Sequence, residues 1–354
     1  MKRLRHPDGI LRQILLSSLL LATAGAYAFD VQLEWGHPLP EDRNAKWSLS
    51  YGSLLDISGH VDETFRAYYK ASGQNWKQSL AESYSLSDFG VDAPYSTMGL
   101  RYEKQWTFWN FRWDLVRLSL DASANAKRDY YLGVGDDIKY GGRSYDHLKI
   151  PKGSRFSLDF DGFLTSGAFA LTPFTFWLGE ELSFTPELDA GLVLVLGQYK
   201  VDAGKARGTA VYQNPPVDFV VGGSSDSFIG AGAPMIGFGG ELRLGAEDWI
   251  QWIFRANLGY FSYSGSTKPF TSSGHRAKDL DLDYFSLTFD AAVDLPMTET
   301  TCLELGARLQ YMDIAAEIKS KEKDDAAIVA ARERFDKKAD FDAVSLLFYA
   351  GITF

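Results

Sequence analysis

The chain has 354 residues, with 36 Lys and Arg against 46 Asp and Glu and a formal net charge of −10. That acidic balance excludes a nucleic-acid binder, which needs basic surface to neutralise phosphate, and the single cysteine, Cys302, excludes an intramolecular disulfide framework. Aromatic residues at 14% together with 33 glycines favour strands and turns over helices.

Residues 1–28 read as a secretory signal peptide. Lys2, Arg3, Arg5 and Arg12 form its basic region, Ile14 to Ala22 its apolar stretch, and Ala26-Tyr27-Ala28 its cleavage site. The apolar stretch is too short for a spanning helix, which takes about 20 residues, and no later segment reaches that length. Losing this peptide removes four basic residues and one acidic one, which moves the net charge from −10 to −13. Residues 29–45, polar and proline-containing, read as a periplasmic N-terminal segment, and residues 46–354 as the folded body.

That body is a succession of runs with period two, one face of a β-strand each. Trp47, Leu49, Tyr51, Leu55 and Ile57 alternate with Ser48, Ser50, Gly52, Asp56 and Ser58, with one lapse at Ser53 and Leu54. Met98, Leu100, Tyr102, Trp106 and Phe108 follow the same rule. After a tight turn expected near Trp109-Asn110, Phe111, Trp113 and Leu115 give way to Val116, Leu118 and Leu120, a slip that predicts a β-bulge. A long loop from Asp129 to Ser154 comes next. Phe156 to Leu182 reads as one long strand or a hairpin, weakened at Pro173. Thr185-Pro186-Glu187 reads as a turn before an apolar run from Leu188 to Val201. Phe228 to Leu244 is glycine-rich and ends in a turn at Gly245 to Asp248.

Three runs near the end are the clearest. Trp252, Phe254, Ala256, Leu258 and Tyr260 form the first apolar face, Phe285, Leu287, Phe289, Ala291 and Val293 the second, and Leu303, Leu305, Ala307, Leu309 and Tyr311 the third. Between that run and the last strand, Lys319 to Lys338 reads either as a short lid helix started by Asp324 or Asp325 or as a solvated charged loop. The last strand places Val344, Leu346, Phe348, Ala350, Ile352 and Phe354 on one face.

Short turns alternate with long loops, and aromatic residues gather at the ends of runs. Both are marks of a barrel with short periplasmic turns and long outer loops, its ring-shaped girdles lying at the membrane interfaces. The expected fold is therefore all-β, a transmembrane antiparallel up-and-down β-barrel of about ten strands, or twelve if Phe156 to Leu182 is a hairpin. Arg101, Glu103, Arg112, Asp114, Arg117, Asp121, Glu241, Arg243, Arg255, Asp290, Glu304 and Arg308 are expected to face the lumen and to pair there. Unpaired charge in a low-dielectric wall is costly.

The opening SLSYGSLLDISG followed by HVDETFRAYY, the stretch APMIGFGGELRLGAEDW with a strand ending in YFSYSGS, and the ending YFSLTFDAAVDLPMTETTCLELGARLQYMD with FDAVSLLFYAGITF together resemble the omptin family. The resemblance implies a ten-stranded outer-membrane endopeptidase scaffold, with a long barrel that projects above the membrane. It also implies an active site joining an Asp-Asp couple from the second outer loop to an Asp-His couple from the fourth, the carboxylates holding a water and the imidazole acting as base. Here the fourth loop, Gly265 to Asp279, offers His275, with Ser273 and not Asp two residues before it. The second loop offers Asp136, Asp137, Asp146 and His147 without the Asp-x-Asp spacing. Two Ser-His pairs, Ser58 with His60 and Ser273 with His275, are the residues a serine-dependent lipid-modifying barrel would need near its rim. No zinc motif, phosphate-cradling glycine loop or EF-hand pattern occurs, so no cofactor is expected.

The sequence thus reads as an omptin-like outer-membrane barrel without a recognisable active site, non-catalytic and serving a structural or surface-recognition role. An omptin-type endopeptidase and a small-solute porin are the alternatives. Its expected partners are outer-membrane lipid and lipopolysaccharide, together with the barrel-assembly machinery, which would read Phe354. No nucleic acid is expected, and the expected state is a monomer.

Overall fold

The computed structural model describes residues 31–36, 44–71, 74–92, 94–132, 138–140, 143–145, 147–202, 207–210, 218–222, 227–245, 250–266, 278–298, 300–320 and 337–354. The signal peptide and the lid segment 321–336 lie outside them. In chain order the strands are β1 (Val31–Trp35), β2 (Ala45–Ala71), β3 (Gln74–Ser85), β4 (Tyr95–Gln105) and β5 (Trp109–Asn125). The short strands β6 (Tyr130–Leu132), β7 (Ile138–Tyr140), β8 (Arg143–Tyr145) and β9 (Leu148–Ile150) follow. Then come β10 (Arg155–Leu171), β11 (Phe174–Leu178), β12 (Leu182–Asp202), β13 (Arg207–Ala210) and β14 (Asp218–Gly222). The rest are β15 (Ser227–Leu244), β16 (Gln251–Ser266), β17 (Lys278–Pro296), β18 (Cys302–Ser320) and β19 (Lys337–Thr353). Among the described residues the only helical piece is a single 3₁₀ turn, Leu86–Phe89.

Ten of these strands close into a barrel, each antiparallel to the next: β2, β4, β5, β10, β12, β15, β16, β17, β18, β19 and back to β2. The ends of the chain complete the seam, where Ala45 and Phe354 exchange backbone bonds of 3.1 and 2.9 Å. Starting from Ala45, the register passes through Lys104, Phe111, Phe169, Ala190, Ile236, Tyr260, Phe285, Asp313 and Asp342 and returns to β2 at Ser58. That circuit climbs the strand because strands in a closed barrel tilt, by about 35–45°. The lapse at Ser53 and Leu54 is a real irregularity. Val344 pairs with Asp56 but Ser345 with Leu54, so Leu55 is the extra residue of a bulge.

The outward face carries the apolar belt of a membrane span. Leu49, Tyr51, Met98, Trp109, Phe169, Leu188, Ile236, Phe238, Trp252, Tyr260, Phe289, Leu309, Phe348 and Ile352 are all exposed, and between them they come from all ten barrel strands. On β19 the belt runs from Val344 to Ile352, about the nine to eleven residues that a tilted strand needs to cross the hydrocarbon.

The bulge expected in β5 does not exist. From Trp109 to Asn125 its pairing with β10 runs without a shift. What changes is the surroundings. Near the short turns Phe111, Trp113 and Leu115 face lipid while Arg112 and Asp114 face the lumen. Further up, Arg117, Ser119, Asp121 and Ser123 are exposed, and Val116, Leu118, Leu120 and Ala122 take the inner face. The same exchange occurs in β17, where Asp283 is exposed and Leu280, Leu282 and Tyr284 are buried. Above the membrane the wall stands in water, so its polar side must turn outward and its apolar side inward. Arg117 and Asp121 are therefore outer-wall residues and not lumen residues, and Arg117 bonds Asp161 there at 3.2 Å.

Inside this upper section Val193, Ala233, Leu280, Leu282, Tyr284 and Met312 form a core, packed by Phe261, Tyr263, Ile314 and Phe341. At the mouth the 3₁₀ turn buries Phe89 completely, edge-on to Phe156 with ring centroids 5.8 Å apart. Gly90 ends that turn at φ 77°, and a Cβ there would lie 2.7 Å from the carbonyl oxygen of Ser123. Around the mouth short strands of the outer loops pair by backbone and extend the barrel sheet. β3 pairs with β2, β2 with β14, β14 with β13, β13 with β9, and β9 with β6.

Two short turns differ from expectation. The first lies at Trp106 to Phe108, closed by a 2.6 Å bond from Trp106 N to Trp109 O. The second lies at Gly179 to Glu181, with Gly179 at φ 76°, and not at Pro186. Pro186 sits inside β12 opposite Gly240. There β10 has ended at its Leu171–Leu188 pair and β11 joins only at Phe184, so a missing backbone donor costs least. Phe156 to Leu182 is accordingly one strand path broken at Thr172-Pro173, and the barrel count is ten.

Within the polar N-terminal segment, Val31–Trp35 forms β1, which pairs with β11 in the space below the β4–β5 turn. Gly36 N donates to Pro173 O at 2.9 Å and locks it there.

Candidate functional site

The lumen of the membrane section is crossed by charge. Lys46 of β2 is buried, donating to both oxygens of Glu304 at 2.9 Å and lying 2.5 Å from Glu103. Arg255 of β16 reaches Glu304 at 3.3 and 3.4 Å on one side and Glu241 at 2.6 Å on the other. Arg243 meets the second oxygen of Glu241 at 2.5 Å.

A second group stands above the first. Arg101 holds Asp114 through two bonds, 2.7 and 3.1 Å, and touches Asp290 at 3.4 Å. Arg308 ties Asp290 at 2.7 Å to Asp114 at 3.0 Å. Arg112 donates to Glu187, with Asp189 at 3.9 Å. The strands position these groups because each supplies inward residues at every second position, so Arg101 with Glu103, Arg112 with Asp114, and Glu187 with Asp189 share a face. The result joins β2, β4, β5, β12, β15, β16, β17 and β18 wall to wall. Lys46, Glu187 and Asp189 were not legible as lumen residues. Lys46 precedes the first clear run, and the other two flank an apolar stretch that reads as buried on both faces.

Between this floor and the apolar core remains a cavity of about 100 Å³, lined by Asp114, Asp189, Asn257, Ser286, Asp290 and Arg308 among others. A polar space of that size holds a few waters. Asp189, 4% exposed, has one carboxylate oxygen without a hydrogen-bond partner beside it.

The loop candidates divide. Asp136, Asp137, Asp146 and His275 lie outside the described residues, as does Ser273. His147 immediately precedes β9, half-buried, with its ring edge-on to Tyr131 at 5.1 Å. The loop it belongs to is pinned by Asp129, which takes the backbone N–H of Lys152 at 2.8 Å and faces the Lys149 ammonium at 2.6 Å. The Lys149 contact and then the Lys152 bond hold the Asp129 carboxyl below the usual carboxylate range. Tyr130 donates to Asp88 at 2.6 Å, stitching this loop to the 3₁₀ turn, and burial pushes its phenol up.

The Ser58–His60 pair lies elsewhere, on the outward face of β2 at the barrel seam. Ser58 Oγ donates to Asp342 at 2.6 and 3.0 Å. His60 receives Asp340 on two sides: its backbone N donates to Oδ1 at 2.8 Å, and its ring Nδ1 lies 3.4 Å from the same oxygen. Asp340 and Asp342 were missed as site residues. Their even spacing ahead of Val344 was the signal that they share the outward face. Among the described residues no group of three or more His, Cys, Asp and Glu side chains is arranged to hold a metal ion.

No protein-family model and no curated protein matches this chain. Solved structures do. The outer membrane protease OmpT from Escherichia coli aligns at 10% identity and a TM-score of 0.35, covering 90% of this chain and 99% of that one. The β domain of the Bordetella autotransporter BrkA aligns at 10% identity and 0.26, over 88% and 99%. A Pseudomonas aeruginosa FadL homologue aligns at 7% identity and 0.26, over 89% and 90%.

Proposed function

We propose that this chain is an outer-membrane barrel of omptin-like form with a closed lumen, serving a structural or surface-recognition role through its outer loops and not cleaving peptides. The observation that carries the reading is the ion-pair floor. Lys46, Arg255, Glu304 and Glu241 bridge the lumen in a lower group, and Arg101, Asp114, Asp290 and Arg308 in a second group above it. Buried pairs of this kind take up most of the charge that would otherwise line a water-filled path, and narrow barrels are filled by their own side chains. The paired strands of the outer loops offer a surface for contact, and the acidic, strand-built chain suits the outer membrane of a Gram-negative cell.

The test has three arms on refolded protein. Planar bilayers should show little conductance, and large steady channels at ordinary salt would move the choice to a porin. Peptides with paired basic residues should stay intact with or without lipopolysaccharide. Cleavage lost in His147→Ala or His275→Ala would make it a protease. The chain should fractionate with outer membranes and migrate faster unheated than boiled.

A further inference from the structure

The seam between β2 and β19 changes character within three paired positions. Asp56 opposite Val344 is the last pair with an apolar member, Ser58 opposite Asp342 is next, and His60 opposite Asp340 follows. All face outward, so Ser58 and His60 stand where the lipid belt ends, level with the headgroups and ester carbonyls of the outer leaflet. Their strand positions are two apart on one face, about 6.6 Å along the strand, which an imidazole leaning along the strand can span. Between them Gly59 takes φ +144°, and a Cβ there would lie 2.1 Å from the carbonyl oxygen of Asp340. Only glycine permits β2 to approach β19 that closely, and the approach seats the Asp340 carboxylate on His60. With Nδ1 facing Asp340, ring Nε2 is the nitrogen left to meet a proton. His60 itself is 62% exposed, open to a substrate in the leaflet.

We propose that this seam is a serine esterase site for acyl esters of outer-leaflet lipids. Ser58 Oγ, turned from Asp342 toward His60, attacks the ester carbonyl while its proton passes to Nε2. The C–O bond to the lipid alcohol breaks, and His60 returns that proton to the leaving oxygen. A water then attacks the acyl-Ser58 ester, giving its proton to Nε2. The Ser58–acyl bond breaks, the fatty acid leaves, and the proton goes back to Ser58. Asp340 is a positioning residue that fixes the imidazole. The site is independent of the lumen, so an open or closed floor leaves it unaffected.

The experiment uses the full mature chain refolded in detergent micelles, with heat-shifted gel migration as the fold control for every variant. A fluorophosphonate probe should label Ser58 stoichiometrically, and fatty acid should be released from lipopolysaccharide or from phosphatidylethanolamine, offered separately so that the cleaved lipid names the source. Ser58→Ala should abolish labelling, and His60→Ala should slow it about 10²-fold or more. Asp340→Asn should lower kcat about 10²-fold with KM unchanged, and Asp340→Glu should restore most of it. No labelling, labelling that survives Ser58→Ala, or labelled protein that releases fatty acid from neither lipid overturns the proposal.

Discussion

Arg255 shows how much one side chain can hold. Its guanidinium lies between Glu241 and Glu304, both almost fully buried. Arg255→Leu removes the cation they share, leaving buried Glu241 to Arg243 alone and buried Glu304 to Lys46 alone. The expected cost is about 3–5 kcal/mol, read as a lower urea midpoint in detergent micelles. An unchanged midpoint would mean that the floor is not holding the barrel. Asp129 offers a test by pH. Its carboxyl is held low by Lys149 and Lys152, so its contribution is present above the ordinary Asp value and is lost as pH falls through the lowered one. The protection of the amides in residues 147–152, relative to their intrinsic exchange rate at the same pH, should fall over that acidic range in the native chain and should be low at every pH in Asp129→Asn. Most of the lumen charges are legible from alternation, because a polar residue flanked by two apolar ones points inward wherever the strand is wrapped in lipid; Arg117 and Asp121 break the rule where the outside is water. Asp340 and Asp342 were not legible, since a pairing 280 or more residues away is visible only once the barrel closes.

At the scale of the strand, β5 shows what periodicity does and does not fix. The apolar positions change parity at Leu115 and Val116, and a bulge is one explanation. A change of solvent is the other, and the unbroken pairing with β10 selects it. Sequence pattern registers polarity relative to the neighbours and is blind to whether the outside is lipid or water. Leu118→Asp should therefore destabilise the barrel strongly while Arg117→Asp is tolerated, and the opposite order in urea unfolding would restore the bulge. The lapse in β2 looked weaker in the sequence and is the real bulge, because Leu55 there has no partner on β19. At the other end Phe354 stands outward with Ile352, each about half exposed, whereas Thr353 pairs with Lys46. Phe354→Asp should impair assembly in cells far more than Thr353→Asp. Equal yields in the membrane fraction would count against the face assignment.

For the whole molecule, a membrane-embedded lower barrel with a charged interior carries an upper barrel with a hydrophobic interior. Strand number, direction and span were readable from the chain because each run announces itself within a dozen residues. The pairing of the outer-loop strands was not, since pairs such as Val220 with Tyr68 are remote in sequence and neither stretch carries a clear alternation of its own. The seam between β2 and β19 is different in kind from the other nine contacts, for it alone unites the two ends of the folded body.

β1 lies away from that seam, beside β11, and sets a practical asymmetry between the ends of the chain. Fused cargo ahead of Val31 would hang from a strand that pairs with β11 and is not one of the ten barrel strands. Cargo after Phe354 would begin at the residue that exchanges bonds with Ala45. An engineer wishing to purify this protein should place the tag just ahead of Val31, behind the expected cleavage site, and leave Phe354 in its pairing with Ala45.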